Sequence, residues 1–340
     1  MKINKDDFLQ CLESVSPGLA PREGAVDQST CYVFLDGYVC TYNDETSVRC
    51  PSKMDKKFSA AVPSKALVEQ LRKWKEDEID VEANGEGLIV KGKGSRKAVF
   101  ITEKEITLPI EHVEKPKKWT PLPEDFGDAI KVVAECAKDK DESLAVMCLS
   151  LHPDFIEASD NFQLTRYQIK TGISKFCLVR KEAMKHLPSL DMTEMSETEG
   201  WLHFRNPAGV VYSARKNYPP EDYPDWSAFL KPEGKPATLP KGLAEAAEKA
   251  AIFSAENGQD NNIAVQLKEG KLRVKGQGTS GWFQEVKQIN YKGPALAFLV
   301  SPKLLIELVK RHHDAMISEN KLRVDAGKFV SVVCLEKLEK

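Results

Sequence analysis

Few residues of this chain have the types and spacings that covalent chemistry needs. The six histidines (His112, His152, His186, His203, His312 and His313) form neither an HExxH nor an HxH pattern, so they supply no ready pair of zinc ligands. His312 and His313 stand at a basic helix end, where capping and phosphate contacts are commoner than metal ligation. The eight cysteines, at positions 11, 31, 40, 50, 136, 148, 177 and 334, include no CxxC pair, and most lie in apolar runs. They read as small buried thiols rather than a zinc site or a disulfide frame. There is no GxSxG and no Walker loop, and GKGSR at Gly92 to Arg96 lies between two strand-like runs, as a hairpin turn does. Glu221, Asp222 and Asp225 cluster beside prolines, where they solvate a link. The expectation is a protein without catalytic residues, metal or cofactor.

The residues left are suited to binding. Basic side chains recur on helix-like stretches: Lys65, Arg72 and Lys73; Lys131, Lys138 and Lys140; Lys241, Lys249, Lys303, Lys310 and Arg311. Either they touch phosphates or they are ordinary solvated helix faces. A second binding feature is Val211 to Pro232, VYSARKNYPPEDYPDWSAFLKP. Its first residues alternate as a two-faced strand does. Pro219, Pro220 and Pro224 then force the chain out of the ladder, leaving Tyr223, Trp226 and Phe229 in need of an apolar surface. Such a link either plugs a domain seam or walls a partner groove.

Bulk composition narrows the class. The chain has 340 residues, 41% of them hydrophobic, and no apolar run approaches the roughly 18 residues of a membrane span. The start, MKINKDDFLQCLESV, carries acids where a signal peptide needs an apolar core, so a cytoplasmic protein that does not engage membranes is expected. Lys and Arg number 49 against 51 Asp and Glu, a net charge of −2, so any grip on nucleic acid must be local or topological.

The elements recur. Lys5 to Val15 spaces Phe8, Leu12 and Val15 as a helix with Asn4 as N-cap, and Cys31–Leu35 and Tyr38–Asn43 read as strands about an Asp36-Gly37 turn. A helix follows Pro63-Ser64, and then strands from Ile79, Gly87 and Arg96. The strings Ala61–Leu67, Leu178–Met184 and Leu299–Leu305 align without gaps as a strand end feeding a helix, with Val62, Val179 and Val300 spaced 117 and 121 positions apart. Each is preceded by another helix (Lys5 to Val15, Glu124 to Ala137, Lys241 to Phe253) and followed by a turn and paired strands. The spacing is far beyond a solenoid period and predicts three copies of one α+β domain, each with two helices backed by antiparallel sheets. Proline-rich links set the boundaries at 1–115, 116–234 and 235–340.

Across nearly its whole length this order of elements resembles the bacterial sliding clamp, the beta subunit of DNA polymerase III. The resemblance rests on FLQCLESVSPGLAPREG in the first domain, ASDNFQL at Ala158 to Leu164, YPDWSAFLKP at Tyr223 to Pro232, AAIFSAENGQDNNIAVQLKEGKLRV in the third domain and the closing FVSVVCL. It is a divergent member, of the sort a phage or mobile element would pair with its own polymerase. What the resemblance implies is a head-to-tail homodimeric ring of three-domain chains around duplex DNA, serving as the processivity factor of a polymerase. Arg22, Lys65, Lys73, Lys138, Lys140 and Lys310 would contact DNA. Short peptides of the polymerase and clamp loader would dock between domains two and three, on Leu144, Ser159, Asn161, Phe162, Leu164, Pro224, Phe229, Val332, Val333 and Leu335. Ile252 and Phe253 would meet Val99 and Ile101 of the second copy, although an apolar helix stripe could equally be core. The groove departs from the family pattern: Asn161-Phe162-Gln163 stands for glycine-histidine-arginine, Ala228 for an arginine, and Cys334-Leu335-Glu336 for the methionine-proline tail. The alternative is a clamp-fold hub that binds peptides without loading onto DNA.

Overall fold

Asn4 opens the first helix: its side-chain oxygen accepts the Asp7 N–H at 2.9 Å, and α1 (Lys5–Val15) buries Phe8, Leu12 and Val15. The computed structural model describes residues 1–84, 87–221, 223–258 and 261–338. Asp222 of the acidic cluster, Glu86 at the first-domain turn, and Gln259 and Asp260 of the third-domain string lie outside the described residues. Five further helices follow: α2 (Ser64–Lys73), α3 (Phe126–Ala134), α4 (Lys181–Met184), α5 (Leu243–Ser254) and α6 (Pro302–Arg311).

Two helices differ from expectation. The α3 helix is shorter than Glu124 to Ala137. Its last turn tightens into bonds from Cys136 N to Val133 O (3.0 Å) and from Ala137 N to Ala134 O (3.2 Å), which end the α geometry. The α4 helix is a single turn, because Pro188 has no N–H for the Met184 carbonyl four residues back and its ring crowds that carbonyl. The chain passes instead into a 3-10 turn at Leu187–Ser189.

The chain divides into two compact units: Met1–Lys131 with Ser150–Pro153 and Lys170–Pro219, and Val132–Leu149 with Asp154–Ile169 and Pro220–Lys340. The first unit holds an antiparallel sheet of eight strands, in the order Ala60–Pro63, Cys31–Leu35, Tyr38–Tyr42, Thr46–Pro51, Val211–Arg215, Trp201–Arg205, Glu194–Glu197 and Thr120–Pro121. The strand opening the proline-rich link therefore sits in mid-sheet, with Val211 opposite Arg49 and Ala214 opposite Thr46. A second sheet runs Lys2–Asn4, Glu78–Asn84, Gly87–Lys91 and Lys97–Phe100, leaving Lys97–Phe100 on an edge. The expected turn at Asp36 and Gly37 has φ of 51° and 80°, the left-handed pair that suits a tight hairpin.

His203 lies fully buried in the eight-stranded sheet, its Nδ1 2.8 Å from Ser213 Oγ and its Nε2 3.0 Å from Thr198 Oγ1. Burial holds its pKa down from 6.5 to about 4. Between those values the unfolded chain binds a proton that the folded chain refuses, so stability falls as pH drops through that window. A loss of about 3 kcal/mol is expected by pH 4 relative to pH 7, from about 1.4 kcal/mol per pKa unit. Denaturant unfolding across this range should show that slope, and His203→Gln should flatten it. An unchanged slope in the variant would assign it to other groups.

In the second unit, seven antiparallel strands run Phe155–Ser159, Gln163–Gln168, Phe329–Cys334, Lys321–Asp325, Asp314–Ile317, Lys235–Thr238 and Asn290–Tyr291. A five-stranded sheet runs Trp282–Gln288, Lys271–Gln277, Ile263–Lys268, Leu296–Val300 and Glu336–Lys337. Its inner face carries Ile263, Val265, Leu267, Leu272 and Val274 into a core shared with Ala246, Ala247 and Ala250 of α5 and Leu305, Leu308 and Val309 of α6. Helix and sheet approach so closely that a Cβ on Gly276 would lie 1.9 Å from the Ala250 carbonyl oxygen, which restricts that strand position to glycine. Six cysteines are buried thiols as expected; Cys11 and Cys334 are half-exposed.

Candidate functional site

The site predicted between the second and third domains is built on one face of the seven-stranded run. In the ladder, Ser159 faces Leu164, Leu164 faces Val332 and Val332 faces Arg323, and paired residues share a face. The connecting turn is organised by Asp160, whose Oδ1 accepts the N–H of Phe162 and of Gln163, both at 2.9 Å, while Ser159 Oγ donates to Gln163 O at 2.8 Å. Asn161 takes φ 74°, a left-handed conformation that asparagine tolerates better than most residues. The turn leaves Phe162 60% exposed, with the Lys138 ammonium 5.9 Å from its ring centroid. Leu144 is exposed as well.

Pro224 to Lys231 lies over the same face. Ser227 N donates to Asp225 Oδ1 at 2.9 Å, and Leu230 N donates to Trp226 O at 3.2 Å, which coils the segment so that Trp226, Phe229 and Leu230 pack on Leu164, Val330 and Val332. Asp225 is therefore a turn-former rather than a catalytic acid. Three basic residues hold the coil in place. Lys321 Nζ donates to the Phe229 carbonyl (3.3 Å) and the Lys231 carbonyl (3.2 Å), Arg323 Nε donates to the Leu230 carbonyl (2.8 Å), and Arg166 Nη1 donates to Ser227 Oγ (3.3 Å). Carboxylates balance them: Glu233 on Lys321 (2.7 Å), Asp325 on Arg323 (2.8 Å) and the buried Glu157 on Arg166 (2.8 Å). The only sequence trace of this clasp is the alternation of Lys321 and Arg323 with the apolar Leu322 and Val324 in one strand.

Of the ten expected groove residues, Leu164, Phe229 and Val332 form one apolar cluster, Ser159 pairs with Leu164, and Asn161, Phe162, Leu144 and Pro224 lie exposed. Val333 and Leu335 are buried in the helix-backed core with Leu322 and Val324, Val333 on the strand face opposite Val332.

The basic residues differ in how free they are. Arg22, Lys65, Lys73 and Lys140 are exposed and form no ion pair among the described residues. Lys138 and Lys140 follow α3 rather than riding on it. Lys138 is held by Asp141 at 2.8 Å as well as by the Phe162 ring, and Lys310 lies 3.8 Å from Glu248 and 4.0 Å from Glu307.

The expected seam residues lie on or beside an edge strand of each unit. On the first unit's edge strand Val99 is exposed, and Ile101, just beyond it, is 81% exposed. On the second unit, α5 presents Ile252 at 68% exposure, which rules out the core reading for that residue. Phe253 is half-buried, its ring 3.5 Å from where a Cβ on Gly281 would stand, beside the edge strand Trp282–Gln288.

Among the described residues no group of three His, Cys, Asp or Glu side chains is placed to hold a metal ion. Among the described residues no helix is long and apolar enough to cross a membrane. No protein-family model matches the chain, and no curated protein matches it in sequence. Solved structures do match. A Pseudomonas aeruginosa sliding clamp, DNA polymerase III subunit beta, bound to griselimycin is similar with a TM-score of 0.84 at 15% identity over 99% of both chains. The Thermotoga maritima DNA polymerase III beta subunit gives 0.81 at 15% identity over 99% of both. A putative beta subunit from Eubacterium rectale gives 0.81 at 13% identity over 98% of both. The sequence has diverged far from these proteins, but end to end the chain has the α+β fold of the DNA polymerase III beta sliding clamps.

Proposed function

We propose that this protein is a DNA polymerase processivity factor: two copies close head to tail into a ring around duplex DNA and tether polymerase and clamp loader through short peptides. The observation that carries the reading is the match to clamp structures over 99% of the chain in both directions. In this reading the chain comprises three clamp domains, 1–115, 116–234 and 235–340, and acts in the cytoplasm without cofactor. A ring holds DNA by topology, so weak, sequence-independent phosphate contacts suffice and leave it able to slide. A net charge of −2 suits that arrangement, with Arg22, Lys65, Lys73 and Lys140 as the least neutralised contacts. Ring closure would join the edge strand bearing Val99 to the edge strand beside Phe253, covering two exposed edges at once.

Partner peptides would meet the exposed Phe162 and Leu144 and the flank of Phe229 and Trp226 over Leu164 and Val332. Because the coil Pro224 to Lys231 is fixed through its backbone carbonyls, its side chains can vary without losing the wall. That is how the groove can accommodate a changed peptide preference.

The alternative of a peptide-binding hub draws support from Lys138, whose charge is already engaged by Asp141. The two readings separate on topology. A clamp loaded onto nicked circular DNA by its cognate loader should remain bound in high salt and be lost when the circle is cut. Equal retention on circular and linear DNA, or no retention on either, would favour the hub.

A further inference from the structure

The function proposed above uses the edge of the five-stranded sheet, at Trp282–Gln288, and leaves its outer face open. The strand Lys271–Gln277 turns Lys271, Arg273 and Lys275 outward at successive even steps, while Leu272, Val274 and Gly276 face the core. None of the three forms an ion pair among the described residues, and Lys275 instead donates to Gln277 Oε1 at 2.7 Å. On the neighbouring strand Gln284 stands opposite Lys275, and Trp282 stands opposite Gln277 and is 63% exposed. Beside this row is a hollow of about 680 Å³ lined by amides, Leu299 and Leu338; its one carboxylate, Glu336, is engaged by Asn262 Nδ2 at 3.1 Å.

We infer that this face is a binding surface for single-stranded nucleic acid. Alternate residues of a strand are about 6.7 Å apart, comparable to the step between successive phosphates of an extended single strand. Three uncompensated cations in line therefore match a backbone in register, in a chain whose overall charge would repel it. Trp282 continues the row and offers an open ring to an unstacked base, while Gln284 and Gln266 can bond base edges within the hollow. A duplex has no exposed base plane for the ring, so stacking selects a single strand.

The test uses the full chain and a fluorescent oligothymidylate of about 12 nucleotides, within the span of one binding module. That oligonucleotide is linear and cannot be retained by encirclement, so the outcome does not depend on whether a ring forms. Anisotropy titrations should give an affinity that falls with salt, with a logarithmic slope of about −2 for three phosphates. The triple variant Lys271→Gln, Arg273→Gln, Lys275→Gln should flatten that slope and weaken binding about a hundredfold. Trp282→Ala should cost about tenfold. Lys117→Gln with Lys118→Gln, two exposed residues outside this face, should leave the affinity unchanged. These side chains point to solvent, and an unchanged melting temperature would confirm that the variants fold. Unaltered binding by the triple variant would overturn the inference, as would duplex bound as tightly as single strand or polyglutamate competing as well as the oligonucleotide.

Discussion

Ile252→Asp combined with Ile101→Asp is expected to turn a ring-forming dimer into a folded monomer with a mass near 38.0 kDa. The two side chains are 68% and 81% exposed, so neither holds its own fold together, and each flanks a strand edge with no partner in the single chain. Closing a head-to-tail ring would bring the two positions to each seam. Burying two such apolar side chains contributes about 1.5–3 kcal/mol apiece, and two carboxylates in one seam replace that gain with repulsion and desolvation. A penalty of about 5 kcal/mol per seam follows, and about 1.4 kcal/mol is a tenfold change, so each seam weakens by roughly 10³–10⁴. Sedimentation at micromolar protein should show the monomer, and circular dichroism should show an unchanged fold. A variant that remains a dimer would place the interface elsewhere and remove the ring from the proposed function. Phe253 is the poorer choice for this test, because its half-buried ring packs beside Gly281 and its loss would blur dissociation with unfolding.

What could be read in advance divides by range of interaction. Asn4 and α1 and the Asp36-Gly37 turn depend on residues a few positions apart, and they form as the sequence suggests. At α4 the repeat pattern also held, a strand end feeding a helix, but Pro188, four residues past Met184, limits that helix to one turn. The full-length clamp fold was legible because a threefold pattern leaves many independent traces. The groove was legible only in part. Leu164, Phe229 and Val332, grouped by resemblance, share one apolar cluster, whereas Val333 and Leu335 are packed in the helix-backed core. The clasp of Lys321 and Arg323 was not seen at all, since both bond to main-chain carbonyls ninety or more positions away in a segment whose side chains say nothing about it.

Arg166→Met is expected to destabilise the second unit by about 3–5 kcal/mol at neutral pH, the usual cost of stranding one partner of a buried ion pair. Glu157 is 2% exposed, and Arg166 Nε is 2.8 Å from its Oε2, while the guanidinium also lies 4.1 Å from the Phe155 ring centroid. Burial raises the Glu157 pKa above its ordinary value, and the Arg166 hydrogen bond and charge pull it back down. Where the folded pKa exceeds the unfolded one, the folded chain holds more protons, so stability is full below the unfolded value near 4.5 and falls as pH rises toward the folded pKa. Removing Arg166 lifts the folded pKa further and carries the loss to higher pH. The deficit of the variant should therefore be small at pH 4, where the carboxyl is protonated in both states, and should grow toward pH 7. Adding Glu157→Gln should recover much of it by eliminating the buried charge. Urea unfolding of the three variants at pH 4 and pH 7 checks the pattern, and a deficit equal at both values would mean that Arg166 acts through packing on Phe155 instead. Because Arg166 also bonds Ser227, the same substitution should loosen the coil that walls the groove. Peptide affinity should then fall at pH 7 in Arg166→Met and remain low in the double variant, whose stability has recovered, so that the positioning of the wall is measured apart from the stability of the unit.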